Sequence, residues 1–156
     1  MENSPINEKP VGRVAQIVPA TKNASKIVYD VLCESFSKNP DTSIPDAETW
    51  NSTFLKSNRS HYYLWHEQDK LIGFANLVEP DTGGSTEVRT IGVLPSHRGS
   101  GIGRDLLQHC LNQTLSFGYK KCHLTVAVEN EKALELYLRS SFAVVEKFKC
   151  YRMDLR

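Results

Sequence analysis

The residues of this chain best able to do chemistry lie between Glu87 and Phe117, EVRTIGVLPSHRGSGIGRDLLQHCLNQTLSF. Val88, Thr90, Ile91 and Val93 are β-branched and read as a strand. Pro95, which cannot donate to a ladder, ends it. The glycine-dense run Arg98-Gly99-Ser100-Gly101-Ile102-Gly103 then turns the chain. Beyond it Ile102, Leu106, Leu107, Cys110, Leu111 and Leu115 recur at helical spacing. Strand, glycine turn and helix together leave the first N–H groups of the helix unpaired and pointing outward, a concavity suited to phosphate. His97, Arg98 and Arg104 add local positive charge. A P-loop is excluded, because Gly103 is followed by Arg104-Asp105 rather than Lys-Ser or Lys-Thr. A dinucleotide fingerprint is excluded as well, since Arg104 or Leu106 stands where its third glycine belongs. What remains is Arg98-x-x-Gly101-x-Gly103.

The chain that must position this turn has 156 residues, enough for one domain with a sizeable core. A net charge of +1 argues against a nucleic-acid or membrane surface as main partner, since either needs a basic face. Cys33, Cys110, Cys122 and Cys150 show no C-x-x-C pair and no metal-ligand spacing. They read as structural thiols of a reducing, cytoplasmic compartment, and no metal is expected. The opening MENSPINEKPVG lacks a signal-peptide core.

Residues 1–10 read as a flexible tail, and 11–156 as a single domain. Val11 to Val18 is a first strand. From Asn23, the residues Ile27, Val28, Val31, Leu32 and Phe36 mark a helix capped by Thr21 or Asn23. Ser43, with Asp46 three later and Pro45 between, predicts a second helix through Lys56, its face formed by Ala47, Trp50 and Phe54. His61–His66 and Leu71–Val78 flank a polar turn and form a hairpin. Gly83-Gly84 turns the chain into the strand before Pro95. Gly118 is a left-handed cap for the central helix. Lys121–Val128 follows as a parallel strand with Cys122, Leu124, Val126 and Val128 on one face. A fourth helix spans Glu131–Arg139 behind Asn130, and two short β runs close the chain. The fold class is therefore α/β (α+β), a mixed sheet in the order β-α-α-β-β-β-α-β-α-β-β.

The Arg98-x-x-Gly101-x-Gly103 turn resembles the coenzyme-A-binding signature of the GNAT superfamily of N-acyltransferases. Asn130-Glu131-Lys132-Ala133-Leu134-Glu135-Leu136-Tyr137 is similar to that family's N-x-x-A-x-x-L-Y helix. The element order also matches, from about Val11 to Leu155. Ser141-Phe142 departs from the usual Gly-Phe.

The resemblance implies acetyl-CoA as acyl donor, with its pyrophosphate on the backbone from Arg98 through Gly99, Ser100, Gly101 and Gly103 to Arg104. It implies that the strand parts from its neighbour at Gly92, so that Ile91 and Val93 hydrogen-bond the pantetheine arm and Val93 also serves the oxyanion. Asn130 would meet the pantetheine arm in the gap, alongside a role as helix cap. Direct attack by an amine needs two proton movements. An alkylamine is about one part in a thousand neutral at pH 7.4, a penalty near ~4 kcal/mol. Glu87, six residues before Val93, is placed by strand alternation on the face of Ile91 and Val93, where it could act as base; a glutamate ion-paired to Arg89 is the competing reading. Tyr137 matches the family's acid for the departing thiolate, against a plain core tyrosine. Trp50 and Trp65 read as core or pocket wall, and His123 as a structural histidine.

Two functions stand against each other: an N-acetyltransferase acting on a primary amine of a small molecule or peptide, and an acyl-CoA-binding module of the same fold without turnover. The joint presence of Glu87 and Tyr137 favours the enzyme. The ribosomal-protein acetyltransferases carry a glutamate five residues before the asparagine, where this chain has Thr125. Homodimer formation is left open.

Overall fold

The computed structural model of the chain describes residues 2–3, 17–38, 43–125, 131–140 and 142–143. In chain order the elements are β1 (Glu2–Asn3), β2 (Ile17–Pro19), α1 (Ser25–Phe36), α2 (Ala47–Thr53), β3 (Ser60–Glu67), β4 (Lys70–Val78), β5 (Thr86–Val93), α3 (Ile102–Ser116), β6 (Cys122–His123), α4 (Glu131–Arg139) and β7 (Phe142–Ala143). They build one mixed sheet in the order β2-β3-β4-β5-β6-β1-β7. β2 to β5 are antiparallel neighbours, and β6 runs parallel to β5. Apart from β1, the anticipated element order holds across the described residues. The last part of the closing hairpin, and residues 126–130 with Asn130, lie outside them.

One strand was not anticipated. Glu2–Asn3, inside the stretch read as a flexible tail, pairs antiparallel with both β6 and β7. Each of those strands has an edge of ladder groups to satisfy there, and any extended segment can satisfy them.

The helix starts depart from the expected caps. Neither Thr21 nor Asn23 caps α1 through its side chain; a 3-10 turn at Lys22–Ala24 leads in, closed by Ala24 N–H on the Thr21 carbonyl at 3.0 Å. α2 is capped by Asp46 rather than Ser43. The Asp46 carboxylate accepts from Thr49 N–H at 2.8 Å and from its hydroxyl at 3.0 Å. Those bonds hold the Asp46 carboxyl below its ordinary pKa. Pro45 stands before the cap, its carbonyl taking the Tyr29 hydroxyl at 2.7 Å. α2 ends at Thr53, and Leu55 is left-handed with φ 53°. Gly118 is the left-handed residue after α3, at φ 93°.

The core sits on both faces of the sheet. α3 lays Ile102, Leu106, Leu107 and Cys110 against one face, all at 2% exposure or less. α1 and α2 cover the other, where Trp50 packs at ring-centroid distances of 5.3 Å from Phe54 and 5.8 Å from Tyr62. The Trp50 indole donates to the Ser25 carbonyl at 2.8 Å, so its polar end is satisfied in burial. Trp65 is fully buried. Each such side chain contributes roughly 1.5–3 kcal/mol from apolar burial.

Candidate active site

The glycine turn sits at the tip of β5. Gly99 and Gly101 both take left-handed φ, 84° and 86°. Gly101 is the N-cap of α3 and has no side chain to cap with. Its carbonyl accepts the first intrahelical bond, from Asp105 N–H at 3.0 Å. Ile102, Gly103 and Arg104 therefore occupy the helical turn whose N–H groups have no intrahelical acceptor. Ser100 folds its hydroxyl back onto the His97 carbonyl at 2.8 Å. The Arg104 guanidinium is exposed and lies 3.8 Å from Asp105. Backbone donors, a helix N-terminus and one exposed cation are what a pyrophosphate needs. At Gly103 an added Cβ would meet Leu136 Cδ2 at 3.6 Å, an ordinary contact that sets this turn against α4.

Arg98 behaves differently from a phosphate ligand. Its Nε donates to the Val93 carbonyl at 3.1 Å and its Nη2 to the Ser35 carbonyl in the last turn of α1. The side chain is a clamp, and only its backbone is left for the turn. In the same turn of α1 the Ser35 hydroxyl is buried with no hydrogen-bond partner among the described residues.

The backbone of β5 has a defined polarity. Leu94 N–H donates to the Ile72 carbonyl of β4 at 2.9 Å. Backbone groups alternate along a strand, so those of Val93 and Ile91 point to the opposite edge, away from β4. On that edge the described ladder to β6 is made at Thr86 and Glu87, before Ile91 is reached. Gly92 lies between them for a packing reason: a Cβ there would stand 2.7 Å from the Phe74 ring.

Strand alternation misplaces Glu87. The β4–β5 register runs Gly73↔Val93, Phe74↔Gly92, Ala75↔Ile91 and Asn76↔Thr90, then jumps to Leu77↔Val88 and Val78↔Glu87. Arg89 is the extra residue of a β-bulge, and a bulge shifts the two-residue period by one. Cross-strand partners share a face, so Glu87 lies on the face of Asn76 and Phe74, opposite the side chains of Ile91 and Val93. That is the face covered by α1 and α2. The turn of α3 lies on the other.

Glu87 is partly exposed and sits among Arg89, His123 and Ser85, of which the sequence connected only Arg89 to it. Arg89 Nε bonds Oε1 at 3.0 Å, so the anticipated ion pair is present. His123 Nε2 lies 3.4 Å from Oε2, and Ser85 Oγ is 2.6 Å from His123 Nδ1. Cys122 and Leu124 are buried while His123 between them is not, the alternation expected of that strand. Arg89 also faces Tyr62, whose phenol burial pushes up to about 12 against the pull of that cation.

Tyr137 lies on α4, partly buried, its ring 6.0 Å from Phe142 in an edge contact. Burial, and secondarily Cys110, raises its pKa to about 12. It therefore stays protonated at any physiological pH, as a donor must. Cys33, Cys110 and Cys122 are free thiols, and burial pushes Cys110 and Cys122 up, away from nucleophilic chemistry. Among the described residues no group of three His, Cys, Asp or Glu side chains could hold a metal ion, and no helix is long and apolar enough to cross a membrane.

Among the described residues the parallel pair joins at Thr86 and Glu87, and a glycine turn feeds a helix from the other end of β5, in a mixed sheet of an α/β protein. The chain belongs to the acetyltransferase (GNAT) family, whose family model matches residues 26–142. It is similar to a mycothiol acetyltransferase of Jonesia denitrificans, 33% identical over 81 residues covering 52% of this chain and 26% of that protein. It is similar also to a spermidine N(1)-acetyltransferase of Vibrio cholerae, 29% identical over 106 residues covering 65% and 61%. The first match thus spans about a quarter of its relative's length. Among solved structures, the aminoglycoside N-acetyltransferase AAC(6')-Iy in complex with CoA shares the fold at TM-score 0.70 and 17% identity, over 89% of this chain and 94% of that one. A ribosomal-protein-alanine N-acetyltransferase from Brucella melitensis does so at TM-score 0.68 and 20% identity, over 88% and 98%.

Proposed function

We propose that the protein transfers an acetyl group from acetyl-CoA to a primary amine of a small molecule or peptide, by direct attack through a tetrahedral intermediate. One observation carries the reading: the backbone groups of Ile91 and Val93 face away from β4, at the end of a strand that leads into the donor-rich turn at Gly101. Acetyl-CoA supplies the activated acyl group. The turn from Arg98 to Arg104 binds its pyrophosphate through backbone N–H groups, and Asn130 is proposed for the pantetheine arm. Ile91 and Val93 align that arm, and the Val93 amide stabilises the oxyanion.

Glu87 takes the ammonium proton on the α1–α2 face, which the bulge makes the acceptor side. Tyr137 hydrogen-bonds the departing sulfur. A complete transfer from a phenol of pKa about 12 to a thiolate of pKa about 8.5 costs about 5 kcal/mol, so Tyr137 acts through partial transfer as charge develops. Spermidine, mycothiol and aminoglycosides stand in the names of the similar proteins; for this chain amines of those classes are the ones to try first.

The test is release of free thiol from acetyl-CoA with spermidine, sisomicin and a peptide N-terminus as acceptors, in wild type and Glu87→Gln. A drop of about 10²–10⁴-fold that is largest near neutral pH and shrinks toward the amine's own pKa is expected of a lost base. Binding of CoA with no turnover of any amine would leave the non-catalytic module.

A further inference from the structure

We propose that His123 is the positioning residue of the base: its Nε2 holds one oxygen of the Glu87 carboxylate, and Ser85 sets the imidazole's tautomer. The inference rests on the reading of Glu87 given above. β5 and β6 run parallel with Glu87 opposite His123, and the Thr86 N–H bond to the Lys121 carbonyl at 3.0 Å fixes that register. His123 Nε2 stands 3.4 Å from Glu87 Oε2, and His123 Nδ1 stands 2.6 Å from Ser85 Oγ.

A neutral imidazole carries one proton. With the serine hydroxyl donating to Nδ1, that proton is on Nε2, the nitrogen 3.4 Å from the carboxylate. The other tautomer would set a lone pair against a carboxylate oxygen. The serine thus selects the form of the ring that can hold the glutamate, a choice set by the partner of the far nitrogen.

The consequence is a carboxylate held at both ends. Arg89 Nε takes Oε1 from within β5, and His123 takes Oε2 from across the strand boundary. A glutamate side chain alone has several rotatable bonds to freeze before it can meet an amine. Two donors freeze them in advance. Each carboxylate oxygen keeps a second lone pair, so an ammonium can still donate. The Glu87 and His123 side chains are 37% and 38% exposed, open enough for an acceptor to reach them. The pair also lies where the described β5–β6 ladder ends.

Two measurements test this. The first needs no acceptor: ¹⁵N NMR of the His123 ring in the free protein, in wild type, Ser85→Ala and Glu87→Gln. An Nε2–H tautomer in wild type that is lost or mixed in Ser85→Ala is the expected result; an Nδ1–H tautomer in wild type overturns the proposal. The second is a kinetic cycle with acetyl-CoA and spermidine, or sisomicin, using His123→Leu, His123→Gln, Glu87→Gln and the double variant Glu87→Gln/His123→Leu. His123→Leu is expected to lower kcat about tenfold with KM for acetyl-CoA unchanged, and His123→Gln, which keeps a donor, to recover most of it. In the Glu87→Gln background the leucine should add no further loss. Additive losses, or a His123→Leu enzyme with full kcat beside a crippled Glu87→Gln, would overturn the proposal while leaving Glu87 as base. Full activity in Glu87→Gln would instead remove the base itself.

Discussion

The Arg98 guanidinium bonds the carbonyl of Ser35, sixty-three residues earlier, and at the same time the carbonyl of Val93. One side chain thus joins the last turn of α1 to the end of β5, on the strand edge that faces away from β4. A cation there also suits the negative end of α1. Lysine cannot span two carbonyls as a planar fork does. Arg98→Lys is expected to lower stability by about 2 kcal/mol, from loss of charge-assisted bonds, and to weaken acetyl-CoA binding several-fold. Thermal unfolding and calorimetry check both. Unchanged stability with salt-sensitive loss of binding would mark Arg98 as a phosphate ligand instead.

Gly101 and Gly103 should answer differently to substitution. Gly101 holds φ at 86°, where a β-branched residue is strained by more than about 1 kcal/mol and would distort the turn. Gly101→Val is expected to abolish CoA binding in calorimetry. Gly103→Ala finds its nearest neighbour at 3.6 Å and should bind CoA like the wild type. Equal behaviour of the two would contradict the assignment of the turn.

Tyr137→Phe keeps the edge contact with Phe142 and deletes the donor. Turnover is expected to fall by one to two orders of magnitude, with little change in acetyl-CoA affinity. Steady-state kinetics under conditions where chemistry limits the rate decides this. Equal turnover in the two proteins returns Tyr137 to the core.

Tyr62 and Tyr137 also set an alkaline limit. Both phenols are raised from 10 to about 12, so the folded chain keeps protons that the unfolded chain gives up. Their contribution is whole below pH 10 and is lost as pH climbs through 12, up to about 3 kcal/mol for each. Urea titrations at pH 9 and 11 should show the wild type losing more stability over that interval than the Tyr62→Phe/Tyr137→Phe double variant.

Ser35→Ala removes a buried hydroxyl without a partner among the described residues and should raise stability by about 1 kcal/mol. Unchanged stability, with a higher KM for either substrate, would show that a bound molecule uses this hydroxyl.

Local patterns were legible in the chain. The fourth helix has the span its periodicity predicts, Gly118 is the left-handed cap, and the strand before Pro95 ends where expected. What the sequence hid depends on pairing between distant segments. Nothing in Val88-Arg89-Thr90 marks a bulge, since no glycine or proline stands there, so alternation placed Glu87 on the wrong face. The Glu87–His123 contact needs the β5–β6 register, which no local signal carries. Ser43 and Asp46 are both good caps three residues apart, and the choice fell to Asp46 because Thr49 offers it an N–H and a hydroxyl together.

The bulge at Arg89 has a further meaning for how such a chain can change. A strictly alternating strand would couple the acid–base residue to the hydrophobic residues around the cofactor, since both would compete for one surface. With one extra residue in between, the proposed assignment gives the first half of β5 to the amine and the second half to the thioester. On that assignment acceptor preference can drift through residues 86–89 while the strand edge proposed for pantetheine at 91–93 stays as it is.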